Sequence, residues 1–263
     1  MQWVAPILLT LLFLGSFALG VWLGRRTKRT VLVATTACLA LILPKVVFRY
    51  YPNVEYSLLP VDAYSYLRWW WGFPPAFVAL GIGVFQMRTT WRRMFVEVFA
   101  GLLFAMIGSW LLENAQSDPS ALGGRPDKDK VCMQTSTYSC GAAAACTLLA
   151  QIGVDSDEGE MAGLCGTSPG WGTDEFQVAR GLNAKLPGRR AVIERTDWES
   201  LVALKAPAMA TMKLTFLVDH WVVVLHAADD GVRVADPLMG LVTLTKAEFL
   251  DRWRRAIVRV VPE

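Results

Sequence analysis

The chain has 263 residues, more than half of them hydrophobic, with eleven tryptophans and a formal net charge of +3. So small a charge argues against a nucleic-acid partner held by phosphate neutralisation, and neither a zinc-type CxxC pair nor a GxxxxGK phosphate loop occurs. Five cysteines, an odd number, imply no disulfide framework by count alone.

The apolar residues are concentrated in the first half. Four stretches, Val4–Leu23, Val31–Phe48, Trp69–Met87 and Phe95–Leu112, read as membrane-spanning helices, each needing about 20 residues. The third is broken near its start by Pro74 and Pro75. The first lacks a charged leader, and Arg25, Arg26, Lys28 and Arg29 stand where a cleavage site would be, so it is expected as a retained anchor. Those four cations and Arg88, Arg92 and Arg93 mark two cytoplasmic loops. The intervening loop balances Arg49 and Arg68 against Glu55 and Asp62, and Glu113 and Asp118 follow the last helix. A multi-pass inner-membrane protein with its N-terminus and C-terminal half outside is expected. Trp69, Trp70, Trp71 and Trp110 would form an outer aromatic belt. Ser16, Gly20 and Gly24 recur at four-residue spacing, which suits close helix packing within the chain better than dimerisation. Lys45 and Glu97 lie near span ends, where side chains reach the interface.

Residues 113–130 are rich in Pro, Gly, Asp and Lys without helical or strand period, and read as a flexible linker. They include Gly123-Gly124, for which linker flexibility is a better account than self-cleavage.

Residues 131–263 have the composition of an α+β globular domain. Ala142–Gln151 is an alanine-rich helix closed by Gly153, so Cys140 stands at a helix N-terminus, where the macrodipole stabilises a thiolate. Ala208–Leu214, His220–His226 and Gly231–Ala235 read as strands, with Asp229-Asp230-Gly231 as a hairpin turn. Thr245 and Glu248 form a capping box for a last helix through Arg254. His220 and His226 share a strand face. A simple turn at Asp230-Gly231 places Asp236 opposite Leu225, nearer His226, unless a bulge shifts the register.

The run QTSTYSCGAAAACTLLAQIG, with Gln-x5-Cys-Gly opening a helix, resembles the papain-like cysteine peptidases, and within them the double-glycine leader peptidases that process bacteriocins. The likeness continues through Asp157–Leu164, Cys165-Gly166-Thr167-Ser168, Gly172-Thr173, His220-Trp221-Val222-Val223-Val224 and Val234-Ala235-Asp236-Pro237. It covers about residues 130–262. The resemblance implies Cys140 as nucleophile, His220 as general base and acid, Asp236 as its orienting partner and Gln134 in the oxyanion hole. It implies no cofactor and no metal. His226 is then left as a structural histidine.

The function expected is that of a membrane-anchored bacterial thiol endopeptidase, cutting exported peptides or proteins after double glycine or other small residues. The bilayer and a separate exporter are the implied partners. Well-known members carry the peptidase ahead of an exporter's membrane region and ATPase, whereas the apolar helices come first here. An amidase or transpeptidase with the same triad, and a non-enzymatic peptide-binding or sensing module, are the alternatives. In an oxidising location Cys132 and Cys165 could pair, a point the sequence leaves open, with Cys146 packed in the core. A zinc site from cysteine and histidine lacks ligand spacing. Trp171 and Trp221 flank the site region, as core or groove residues.

Overall fold

The computed structural model describes residues 4–50, 72–116, 118–170, 172–215 and 218–262. Trp69, Trp70, Trp71, Trp171 and the loop carrying Glu55, Asp62 and Arg68 lie outside them, as does the side chain of Trp110. The described chain divides into two compact units, residues 4–50 with 72–109, and residues 110–262.

The first unit is helical: α1 (Val4–Gly24), α2 (Lys28–Tyr50), α3 (Phe73–Gln86) and most of α4 (Thr89–Gln116). Each expected apolar stretch coincides with a helix, in the third over Phe73–Gln86 alone, but four spans is corrected to one. Among the described residues only Lys28–Phe48 is long and apolar enough to cross a membrane. The 14 residues of α3 extend about 21 Å, short of a ~30 Å hydrocarbon core. With one candidate span, the charges of the loops no longer place the N-terminus and the C-terminal half outside. The small residues of α1 do pack within the chain. A Cβ on Gly20 would strike Val78 and Gly81 of α3, one on Gly24 would strike Phe85, and one on Gly81 would strike the Phe17 carbonyl. Phe13 stacks on Phe77 at 4.8 Å alongside that crossing.

In the second unit, a 3-10 turn at Pro119–Ala121 leads to α5 (Cys140–Gln151), α6 (Glu158–Cys165), α7 (Glu175–Lys185), β1 (Arg189–Arg195) and α8 (Trp198–Ala203). Then come β2 (Ala208–Lys213), β3 (Asp219–Ala227), β4 (Gly231–Asp236), β5 (Gly240–Thr245), α9 (Lys246–Arg252) and β6 (Trp253–Pro262). The helices start where side-chain caps dictate. Asp157, Asp174 and Asp197 each accept an N3 amide, and Thr245 and Glu248 complete the expected capping box. The linker expectation is corrected for 118–130. Leu122 is buried in the core, Asp127 accepts the amides of Asp129 and Val131, and Gly124 is bonded to Glu158.

Six antiparallel strands lie in the order β1-β6-β2-β3-β4-β5. Alternation along each strand feeds two cores. Met209, Trp221, Val223, Ala235 and Val258 join α5, α6 and α7 on one face. Val222, Val224, Val232, Val234 and Ile257 join Trp198 of α8 and Phe249 of α9 on the other. Ala142–Ala145 are fully buried, since methyl side chains let α5 lie close to the sheet.

The β3–β4 register differs from the simple expectation for two reasons. The hairpin closes between Ala228 and Gly231 around Asp229-Asp230, and a bulge at Leu225 shifts the pairing again. Val223 therefore faces Ala235, and continuing that register puts Asp236 opposite Val222, diagonal to His220.

Candidate active site

Cys140 is the first residue of α5 and is half-buried. The sequence places it there because the polar turn Ser136–Ser139 cannot continue the alanine helix. The Ser139 hydroxyl donates to the Ser136 carbonyl at 3.0 Å, and its oxygen accepts the Ser136 amide at 3.2 Å, fixing that turn. Behind Cys140, Gly141 must lack a side chain, because a Cβ there would press on Thr173 and the Trp221 ring. Trp221 Nε1 donates to the Thr173 carbonyl at 2.9 Å, so this tryptophan is a buried support for α5 rather than a groove residue.

His220 lies at the start of β3 and is 4 % exposed. Its Nε2 is 2.8 Å from Asp236 Oδ1 at the end of β4, which leaves Nδ1 for Cys140, close enough to act on the ring's protonation. Burial alone would lower the imidazole's affinity for its proton. The bonds to Asp236 and Cys140, with the negative charge of both partners, outweigh burial and raise the His220 pKa from 6.5 to about 9. The Asp236 carboxyl is held low. Its burial acts the other way, but the His220 hydrogen bond and charge, with the amides of Leu238 and Met239, prevail.

Gln134 precedes the turn. Its backbone amide donates to the Pro237 carbonyl at 2.9 Å, tying the loop before Cys140 to the residue after Asp236. Its Nε2 donates to Ser136 O at 2.6 Å. A carboxamide nitrogen carries two hydrogens, so one remains beyond that bond. The structure thus brings Cys140, His220 and Asp236 together and anchors Gln134 to the same turn. His226 is solvent-exposed and paired with Arg233, away from Asp236.

The remaining cysteines depart from expectation. All five are free, so the Cys132–Cys165 pairing that the sequence leaves open does not form. Cys132 instead neighbours Cys146, whose hydrogen bond, together with burial, pushes the Cys132 thiol far above its ordinary value. Cys165 is packed against Gly181, and burial raises its thiol to about 12. Neither has the environment of a reactive thiol. Among the described residues no cluster of histidine, cysteine and carboxylate has the makings of a metal site.

Two charged groups escaped sequence reasoning. Arg254 Nε lies 3.0 Å from Asp219 Oδ1, an almost fully buried pair directly before His220. Glu158 is fully buried beside the Gln134 loop. Both pairings join residues far apart in sequence, and no local spacing announces them.

The peptidase C39 family matches residues 128–263. An uncharacterised protein of Methanothermobacter thermautotrophicus is 29 % identical over 119 residues, 45 % of this chain and 79 % of that protein. One of Methanothermobacter marburgensis is 32 % identical over 117 residues, 44 % of this chain and 77 % of that protein. Both relatives are archaeal, so the bacterial setting expected from the sequence is not supported. The solved peptidase domain of Streptococcus ComA is 19 % identical and covers 50 % of this chain and 96 % of its own, with a TM-score of 0.45. A double-glycine protease from an AMS/PCAT transporter, solved with a leader peptide, is 22 % identical and covers 53 % and 95 %, also with a TM-score of 0.45.

Proposed function

The chain belongs to the peptidase C39 family, and from that premise we propose that it cleaves peptide bonds with Cys140 as nucleophile. One observation carries the reading. The His220 ring is held by Asp236 through Nε2 and lies within electrostatic reach of Cys140, the first residue of a helix.

The chemistry follows from these contacts. Cys140 gives its proton to His220, and the thiolate attacks the scissile carbonyl. The tetrahedral oxyanion takes hydrogen bonds from the free Gln134 N–H and from the Cys140 amide, which as the first of a helix has no intrahelical acceptor. The imidazolium protonates the leaving amine as the C–N bond breaks, leaving a thioester. His220 then takes a proton from water, whose oxygen attacks the thioester, and the departing thiolate restores the pair. Asp236 fixes the tautomer that points Nδ1 at sulfur and stabilises the imidazolium. The substrate is a peptide or protein, with cleavage after small residues such as double glycine. The exposed apolar faces of α2, including Leu32, Val33, Leu39, Leu41 and Leu43, support anchoring in a bilayer. Retention of the full chain in membranes through an alkaline carbonate wash checks that part, and release by the wash rejects it.

Iodoacetamide labelling across pH tests the chemistry. Cys140 in the wild type is expected to label well below pH 8, where an ordinary thiol is mostly protonated. Labelling that rises only as an ordinary thiol ionises would refute the reading. The raised His220 value adds a second signature. Between about 6.5 and about 9 the folded chain holds a proton that the unfolded chain has lost. The stability this contributes is complete below about 6.5 and is lost as pH rises through about 9. The Cys140 thiolate has meanwhile given up a proton that an unfolded thiol keeps to about 8.5. The two contributions therefore offset each other near neutral pH, and the denaturant midpoint should fall only as pH rises toward and past about 9. Hydrolysis should decline through the same upper limit, because the leaving amine loses its acid.

A further inference from the structure

We propose that Glu158, locked against Gly124, is a positioning residue for the Gln134 loop and so for the oxyanion site, a role that rests on the function proposed above. Glu158 is 0 % exposed, and its carboxylate accepts three hydrogen bonds from neutral donors. Oε1 takes the Thr135 amide at 2.9 Å, while Oε2 takes the Thr135 hydroxyl at 2.6 Å and the Gly124 amide at 2.9 Å. The Glu158 amide donates back to the Gly124 carbonyl at 2.9 Å. A charge this deep is costly unless its bonds are well made, and both oxygens are used here.

The consequence lies one residue away. The Gln134 amide is held by the Pro237 carbonyl, and the next residue, Thr135, is held by Glu158 through both its amide and its hydroxyl. Gly124 completes the grip. A Cβ there would collide with the Met133 carbonyl and come 2.6 Å from Glu158 Oε2, so only glycine brings the incoming chain close enough to donate. This accounts for the second glycine of Gly123-Gly124 without cleavage, since its peptide is tied inside the fold.

The experiment compares two probes of Cys140 on the full chain. Iodoacetamide alkylates sulfur with no tetrahedral oxyanion, whereas a peptide aldehyde ending in glycyl-glycinal forms a hemithioacetal whose oxyanion occupies the site. Glu158→Gln replaces one acceptor oxygen by a donor facing donors. It is expected to weaken aldehyde binding by about tenfold or more while the alkylation rate stays within about twofold. Thr135→Val, which removes one donor and leaves the core intact, should weaken the aldehyde in the same direction by less. Combined with Gln134→Ala, the Glu158→Gln loss should be much less than additive, because both act through one amide. If Gln134→Ala weakens the aldehyde and Glu158→Gln does not, this inference alone is overturned. If Gln134→Ala has no effect, the oxyanion role of Gln134 fails and this inference with it. Equal loss of alkylation and aldehyde binding in both Glu158→Gln and Thr135→Val would make the clamp a general fold support and also overturn it.

Discussion

His220→Ala is expected to slow hydrolysis of a Gly-Gly-containing fluorogenic peptide by at least about 1000-fold, while His226→Ala leaves it within about twofold. The difference follows from placement, since the two residues lie on one strand. His220 is buried between Asp236 and Cys140, whereas His226 is exposed beyond the Leu225 bulge and faces Arg233. The same His220 variant should lose low-pH labelling of Cys140, because the imidazolium that stabilises the thiolate is gone. Asp236→Asn should retain the fold and still lose about 100-fold or more, since an amide cannot stabilise the imidazolium as a carboxylate does. Equal losses in His220→Ala and His226→Ala would remove the case for one base at this site.

The second large effect concerns stability. Arg254→Ala is expected to destabilise the fold by about 3–5 kcal/mol, read as a fall in the denaturant midpoint, because it withdraws the guanidinium from a buried Asp219 carboxylate. Replacing both partners by apolar residues, Arg254→Met with Asp219→Leu, should recover most of that loss, as neither charge is then stranded. The pair also bears on the site. Asp219 is the first residue of β3, and β6 carries Arg254 beside β2, so their bond secures the strand end from which His220 projects. If Arg254→Ala leaves the midpoint unchanged, the pair is not the anchor its burial implies.

Much of the site was legible in the sequence because its signals are local. A glutamine six residues before a Cys-Gly that opens an alanine helix carries the family resemblance and places Cys140 at a helix start within one short segment. The capping box at Thr245 and the three central strands were readable for the same reason, since caps and period-two alternation involve neighbours only. Edge strands β1 and β5 and the last strand β6 were not readable. Arg189–Arg195 and Trp253–Pro262 alternate weakly; the first becomes a strand by pairing with β6, and the second by pairing with both β1 and β2. The helical region shows the opposite error. Apolar composition marked four helices, but composition says nothing of whether a helix reaches the length a bilayer requires or turns its apolar face to other helices, and one candidate span remains.

By itself the sequence determined the α+β character of the second half, the helix start at Cys140 and the segments holding Gln134, His220 and Asp236, because each depends on chain neighbours within a few residues. Only the tertiary structure decided which histidine meets Asp236. A two-residue turn at Asp229-Asp230 and one extra residue at Leu225 set that register, and each single-residue shift moves a strand's side chains to the other face. It likewise decided that Cys132 lies beside Cys146 rather than Cys165, and that 118–130 is folded rather than loose. Glu158 and Arg254 belong to the same class, for a buried charge is stable only where the fold brings distant donors or counter-charges to it, and no local pattern encodes that meeting.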